Sequence, residues 1–305
     1  MGTAAYYGGV RIVSLLPSAT EMLFALGLSE QVVGVTHECD WPEAARGVRR
    51  VSVSVLPPAA TPAEIDARVS ASLEGGEPIY RLDPDAIREL APDLVITQDL
   101  CAVCAVPSGH VHEALDVLGC PAQVVSLDPG SLDEVIDCVA TVGAVTGRLA
   151  EAESLVASLH GRLAAVEAAT RGSSRPAVFA LEWGDPPYNG GHWLPEMVET
   201  AGGRCLLGSW RAPSVRVTWD AIAAAGPEVV VFMPCGYDLA AAVAEGRALA
   251  ERPELAGVRE IYAANGGSYF SRPGPRLVDG VEALAAVLHP GVGVTGPFDA
   301  IARIR

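Results

Sequence analysis

Four short stretches hold most of the side chains able to do chemistry. They are Thr36-His37-Glu38-Cys39-Asp40-Trp41, Gln98-Asp99-Leu100-Cys101-Ala102-Val103-Cys104, Glu182-Trp183-Gly184-Asp185 running on to Tyr188, His192 and Trp193, and the pair Cys235 and Tyr237. Thiolate and imidazole are ligand types of zinc and softer transition metals, so His37, Cys39, Cys101 and Cys104 form a candidate metal set for zinc, iron or copper. The same Cys-x-x-Cys could instead be a redox pair, or all four could be reduced, partly buried side chains. The aromatic residues suit a large planar ligand that they would stack on and desolvate, or they pack one lobe against another. His110 and His112, two apart on an expected helix, face different ways and do not share an ion. Ser268-Tyr269-Phe270-Ser271-Arg272-Pro273-Gly274-Pro275-Arg276 puts two arginines before a helix, fitted either to an anionic or amide-bearing ligand or to capping. Nucleophile elbows, phosphate loops, dinucleotide fingerprints and His-Glu-x-x-His are all absent from the sequence.

The elements around these stretches alternate. Arg11–Leu16 reads as a strand, and Ser18–Glu21 as a capping box opening a helix that Gly27 closes. Gln31–Val35 is the next strand. Asp83-Pro84 caps a helix that ends before Pro92, and Leu94–Thr97 is a buried strand. The second half repeats the plan: a strand at Pro176–Leu181, helices at Trp193–Ala201 and Thr218–Ala225, and Gly226-Pro227-Glu228 leading into Val229-Val230-Val231, which echoes Ala91-Pro92-Asp93-Leu94-Val95-Ile96. Pro57–Gly76 reads as a Pro/Gly/Ser-rich loop that lengthens the first half. Ser131–Thr170, rich in Ala, Leu and Glu, reads as a long helical connector. The pattern predicts an α/β protein of two Rossmann-like lobes with mostly parallel sheets, residues 1–130 and 172–305, bridged by a helix over 131–171. Every chemically unusual stretch follows a strand, and parallel sheets bind ligands at the carboxyl ends of their strands, so the ligand is expected in a cleft between the lobes.

Composition narrows the partners. The 305 residues carry a formal net charge of −16, which disfavours nucleic acid and anionic membrane surfaces. Half the residues are hydrophobic and 19% are charged, enough for a substantial core and no signature of disorder. No apolar run reaches the roughly 20 residues that cross a bilayer. Met1–Gly9 has neither a basic nor an apolar segment, so no secretion signal is expected, and seven cysteines without a dense framework fit reduced thiols in the cytoplasm.

Arg11-Ile12-Val13-Ser14-Leu15-Leu16-Pro17-Ser18-Ala19-Thr20-Glu21, Leu26-Gly27, Val33-Gly34-Val35, Leu90–Ile96 and Ser271–Gly280 together resemble the iron-chelate and cobalamin class of ABC-transporter substrate-binding proteins, nearest its cobalamin-binding branch. The resemblance implies two lobes joined by a helix, with a small-molecule ligand between them. It implies cobalamin or another corrinoid as that ligand and an ABC permease as partner. It also implies that Trp41, Trp183, Tyr188, Trp193, Tyr237 and Tyr269 frame the pocket; the residues themselves add Glu182, Arg272 and His192 to the ligand-binding set, His192 either presenting its imidazole to the cleft or capping the helix that follows. The expected lack of an export signal would set this chain apart from delivery to an outward-facing permease. The expected function is therefore a cytoplasmic binding protein for cobalamin or a related metal-bearing macrocycle. The alternative is a metalloenzyme or redox protein that reuses the fold around the cysteine and histidine cluster.

Overall fold

A computed structural model describes residues 9–55, 62–75, 80–99, 109, 111, 115 and 121–305. Cys101, Cys104, His110 and His112 lie outside the described residues. The chain forms two compact units, one of Met1–Asp128 with Cys138–Ala152 and one of Pro129–Asp137 with Glu153–Arg305.

The first unit is built on five parallel strands in the order β3-β2-β1-β6-β7, where β1 is Ile12–Ser14, β2 Val32–Val35, β3 Arg49–Arg50, β6 Leu94–Thr97 and β7 Gln123–Ser126. A separate antiparallel pair joins β4, Ser52–Ser54, to β5, Tyr80–Leu82. Val13, Leu15, Val51, Ala86, Ile87, Val95, Val111 and Leu115 form its core. Apolar residues on both faces of short strands mark a sheet covered on both sides. The helix after β1 spans Pro17–Ala25, and Ser18 does not cap it. Pro17 takes the first helical position, because its fixed φ and missing N–H suit that place, and this moves the start ahead of the expected capping box. Asp83 caps Pro84–Leu90 as expected, accepting from the Ala86 N–H at 3.0 Å. The expected loop over 57–76 contains a helix instead, Pro62–Gly75. Here too the proline lies in the first turn, and strong helix formers follow it.

The stretch 131–171 is helical in two pieces, Leu132–Thr146 and Leu149–Thr170. Ser131 Oγ accepts the Glu134 N–H at 3.2 Å, so the capping box anticipated there does cap. The break falls at Gly147, whose φ of 71° is left-handed and stops the first helix. Gly143 lets the second helix begin close by, since a Cβ there would lie 2.3 Å from the Ala152 Cβ.

The second unit has the order β10-β8-β11-β12-β13, with β8 Ala177–Gly184, β10 Arg204–Cys205, β11 Val229–Phe232, β12 Glu260–Ala264 and β13 Ile301–Arg303. The first four are parallel. β13 runs antiparallel to β12, and β9, Pro187–Asn189, folds back antiparallel on β8. Phe179, Leu181, Ile222, Val230, Phe232, Leu255 and Ile261 form the core. Thr218 caps Trp219–Ala225 and Gly226, at φ 65°, ends it. The repeat read from the sequence is thus structural: β6 and β11 are the same strand of the same plan. Among the described residues no helix is long and apolar enough to cross a membrane.

Candidate ligand-binding site

In the second unit the carboxyl ends of β8 and β11 carry the aromatic residues expected there. β8 extends past Leu181 to Gly184, and the hairpin to β9 sets Trp183 opposite Tyr188. Tyr237 follows β11 and stands edge-on to Trp183, with ring centroids 5.7 Å apart and planes at 77°. This edge-to-face contact is one of the two arrangements that aromatic pairs favour. The Trp183 indole N–H donates to the Asp185 carbonyl at 3.1 Å. Tyr188 accepts through its hydroxyl from Arg216 Nε at 2.8 Å, and the same guanidinium lies 5.7 Å from the ring centroid. The Tyr237 hydroxyl donates to Glu245 on Leu239–Ala250. Burial, and after it the Glu245 charge, raise that phenol above its ordinary range.

Asn189, only 3% exposed, organises what lies beside these rings. Its amide nitrogen donates to the Leu207 carbonyl at 2.5 Å and to Ser209 Oγ at 3.0 Å, and its amide oxygen accepts the Val215 N–H at 2.7 Å. Backbone bonds from Ser209 to Gly190 and from His192 to Ala212 complete the clamp on loop 206–217. The loop includes two non-glycine residues in left-handed conformation, Leu207 and Arg211, both at φ 54°. Such conformations persist only where the surroundings impose them. Arg211 is fixed further by Glu196 at 3.4 Å and Glu134 at 3.7 Å. The loop presents Trp210, which is 49% exposed, between exposed Leu207 and Val215. Trp210 is not among the residues expected from the sequence. Its signal was a tryptophan with no apolar periodicity around it, in a Gly- and Pro-bounded loop just after a strand.

His192 and Trp193 take different places. Trp193 is 5% exposed and its indole N–H donates to the Phe270 carbonyl at 2.7 Å, so it packs in the interior rather than facing solvent. His192, at φ 50°, stacks on it with centroids 5.4 Å apart. Its Nδ1 is buried with no hydrogen-bond partner, and burial lowers its pKa, keeping the imidazole neutral. Glu182 accepts the Gly191 N–H at 3.3 Å. Tyr269 lies on a short helix capped by Asn265, donates to Asp299 Oδ1 at 2.9 Å and has Arg276 5.5 Å from its ring centroid. Burial, and then Asp299, push its phenol up to about 12. Arg272 is partly exposed after that helix.

In the first unit, the expected cluster follows β2. His37 Nδ1 is 3.0 Å from Ser52 Oγ, and burial, then Arg50, lower its pKa. Cys39 is fully buried, with the hydroxyls of Thr20 and Thr36 each 3.1 Å from its sulfur. Arg50 donates to the carbonyls of Thr36 and Cys39, both at 2.9 Å, and so fixes the loop between them. Trp41, by contrast, is 51% exposed. Among the described residues no three His, Cys, Asp or Glu side chains converge to hold a metal ion.

Residues 12–259 match the family described as periplasmic binding protein. The chain is similar to an uncharacterized ABC transporter substrate-binding lipoprotein of Bacillus subtilis, 25% identical over 288 residues that cover 92% of this chain and 80% of the relative. It is also similar to a vitamin B12-binding protein of Vibrio cholerae, 23% identical, with 91% and 88% covered. The solved structure of a periplasmic heme binding protein from Pseudomonas aeruginosa has the same fold, with a TM-score of 0.69, 21% identity, and 96% of this chain and 97% of that one covered.

Proposed function

Because the chain belongs to the periplasmic binding protein family, we propose that it binds a metal-bearing macrocycle, cobalamin or a close relative, and holds it without chemical change. The observation that carries this reading is the aromatic edge of the second unit: Trp183 against Tyr237 and Tyr188, with Tyr188 bonded to Arg216 of the loop that also presents Trp210. Rigid rings at the carboxyl ends of parallel strands are what a flat ligand needs, since each face covered removes apolar area from water without first ordering a side chain. The vitamin B12-binding relative from Vibrio cholerae supports cobalamin as the member of that class. His192, whose buried Nδ1 has no partner, follows β9, the strand that folds back on β8.

The proposal includes the cytoplasm as the compartment, a reading that rests on a sequence whose seven cysteines form no dense framework. There the bound macrocycle would be stored or handed on. Isothermal titration with cyanocobalamin tests the function. One-to-one saturable binding with a Kd below about 10 µM is expected. No heat and no retention on dialysis at about 100 µM protein would overturn it.

A further inference from the structure

Tyr237 and Glu245 form a hydrogen-bonded pair at the end of β8. The turn capped by Asp238 leads from Tyr237 into Leu239–Ala250 and folds the phenol back onto the Glu245 carboxyl. Beneath them runs the end of β8 at Gly184. A Cβ there would lie 2.8 Å from Glu245 Oε1 and 2.9 Å from Leu249 Cδ1, so the missing side chain is what lets the carboxyl rest against the strand. Trp183, on one side of that glycine, stands edge-on to Tyr237. Asp185, on the other side, acts on Glu245 as a like charge. A half-buried carboxyl therefore sits among the rings of the proposed site. Burial raises its pKa and Asp185 raises it further, with the Tyr237 hydrogen bond opposing.

We propose that the Tyr237–Glu245 pair, with Asp185, selects the periphery of the macrocycle, accepting side chains that end in amides and rejecting those that end in carboxylates. This rests on the macrocycle reading above. An amide brings N–H donors, which Glu245 and Asp185 accept. A carboxylate brings acceptors alone, and it adds negative charge beside a carboxyl already short of water, where the local dielectric strengthens repulsion.

The test compares two probes with one ring: dicyanocobinamide, whose side chains end in amides, and dicyanocobyrinic acid, whose side chains end in carboxylates. Wild type is expected to bind the amide corrin at least about tenfold more tightly. Glu245→Gln and Asp185→Asn are each expected to bring the two affinities closer by strengthening the carboxylate corrin. Equal binding of the two corrins by wild type would overturn the proposal. So would an unchanged ratio in both variants with wild-type melting temperatures. Binding of neither corrin by wild type would overturn the macrocycle reading itself, and this proposal with it.

Discussion

Asn189→Ala is expected to abolish ligand binding and to lower stability by about 2–3 kcal/mol. The side chain is 3% exposed and makes three hydrogen bonds to the loop over 206–217, two as donor and one as acceptor. Truncation leaves the Val215 N–H and the Leu207 carbonyl without their partners. It also removes the clamp that balances the left-handed backbone at Leu207 and Arg211. An unmade bond in such a place loses more than a made bond gains, on the order of 1–3 kcal/mol for each buried group left alone. The exposure of Leu207 and Val215 admits some water, and this keeps the total at the lower end. Asn189→Asp is a sharper probe, for it retains the acceptor toward Val215 and replaces both donors with an acceptor. It should bind as poorly as the alanine variant. Urea denaturation and ligand titration on the same preparations check both variants, and wild-type affinity in either would show that the loop is not part of the site.

Trp210→Ala should do the opposite, leaving stability within about 0.5 kcal/mol of wild type while weakening ligand binding about 30-fold. The ring is half exposed, so about half of its roughly 200 Å² remains to be covered by a ligand. At about 25 cal/mol per Å² that is worth on the order of 2.5 kcal/mol, less what contact leaves uncovered. Trp193→Ala serves as the contrast. That ring is buried and hydrogen-bonded to Phe270, and its loss is expected to lower the melting temperature first. A Trp210 variant that binds normally would remove this loop from the account.

Much of the fold is legible because local signals and tertiary structure agree. Asp83-Pro84 caps a helix, Thr218 and Gly226 bracket another, and the two Pro-acidic-apolar phrases at Pro92 and Pro227 each lead into a buried strand. Each depends on neighbours in sequence. The helix Pro62–Gly75 was obscured by composition, since prolines that mark a loop also start helices. β9 and β13 carry no period of their own. They are strands because β8 and β12 offer them an edge. The site divides in the same way. Trp183, Tyr188 and Tyr237 follow the strand ends expected from the sequence and could be placed from that rule, although β8 runs on through Trp183 and Tyr188 lies in β9. Trp210 owes its position to Asn189, far earlier in the chain, and Trp193 owes its burial to a carbonyl on another element. Glu245 lies inside a helix and meets Tyr237 only through the turn before it. Long-range hydrogen bonds such as these leave no spacing in a sequence.

The most direct test of the central claim is hydrogen exchange with and without saturating cyanocobalamin. The account predicts slowed exchange at 182–193, 206–217 and 234–237, with β11 and the buried first part of β8, residues 177–181, unchanged. Saturable binding that protects none of these three segments would contradict it.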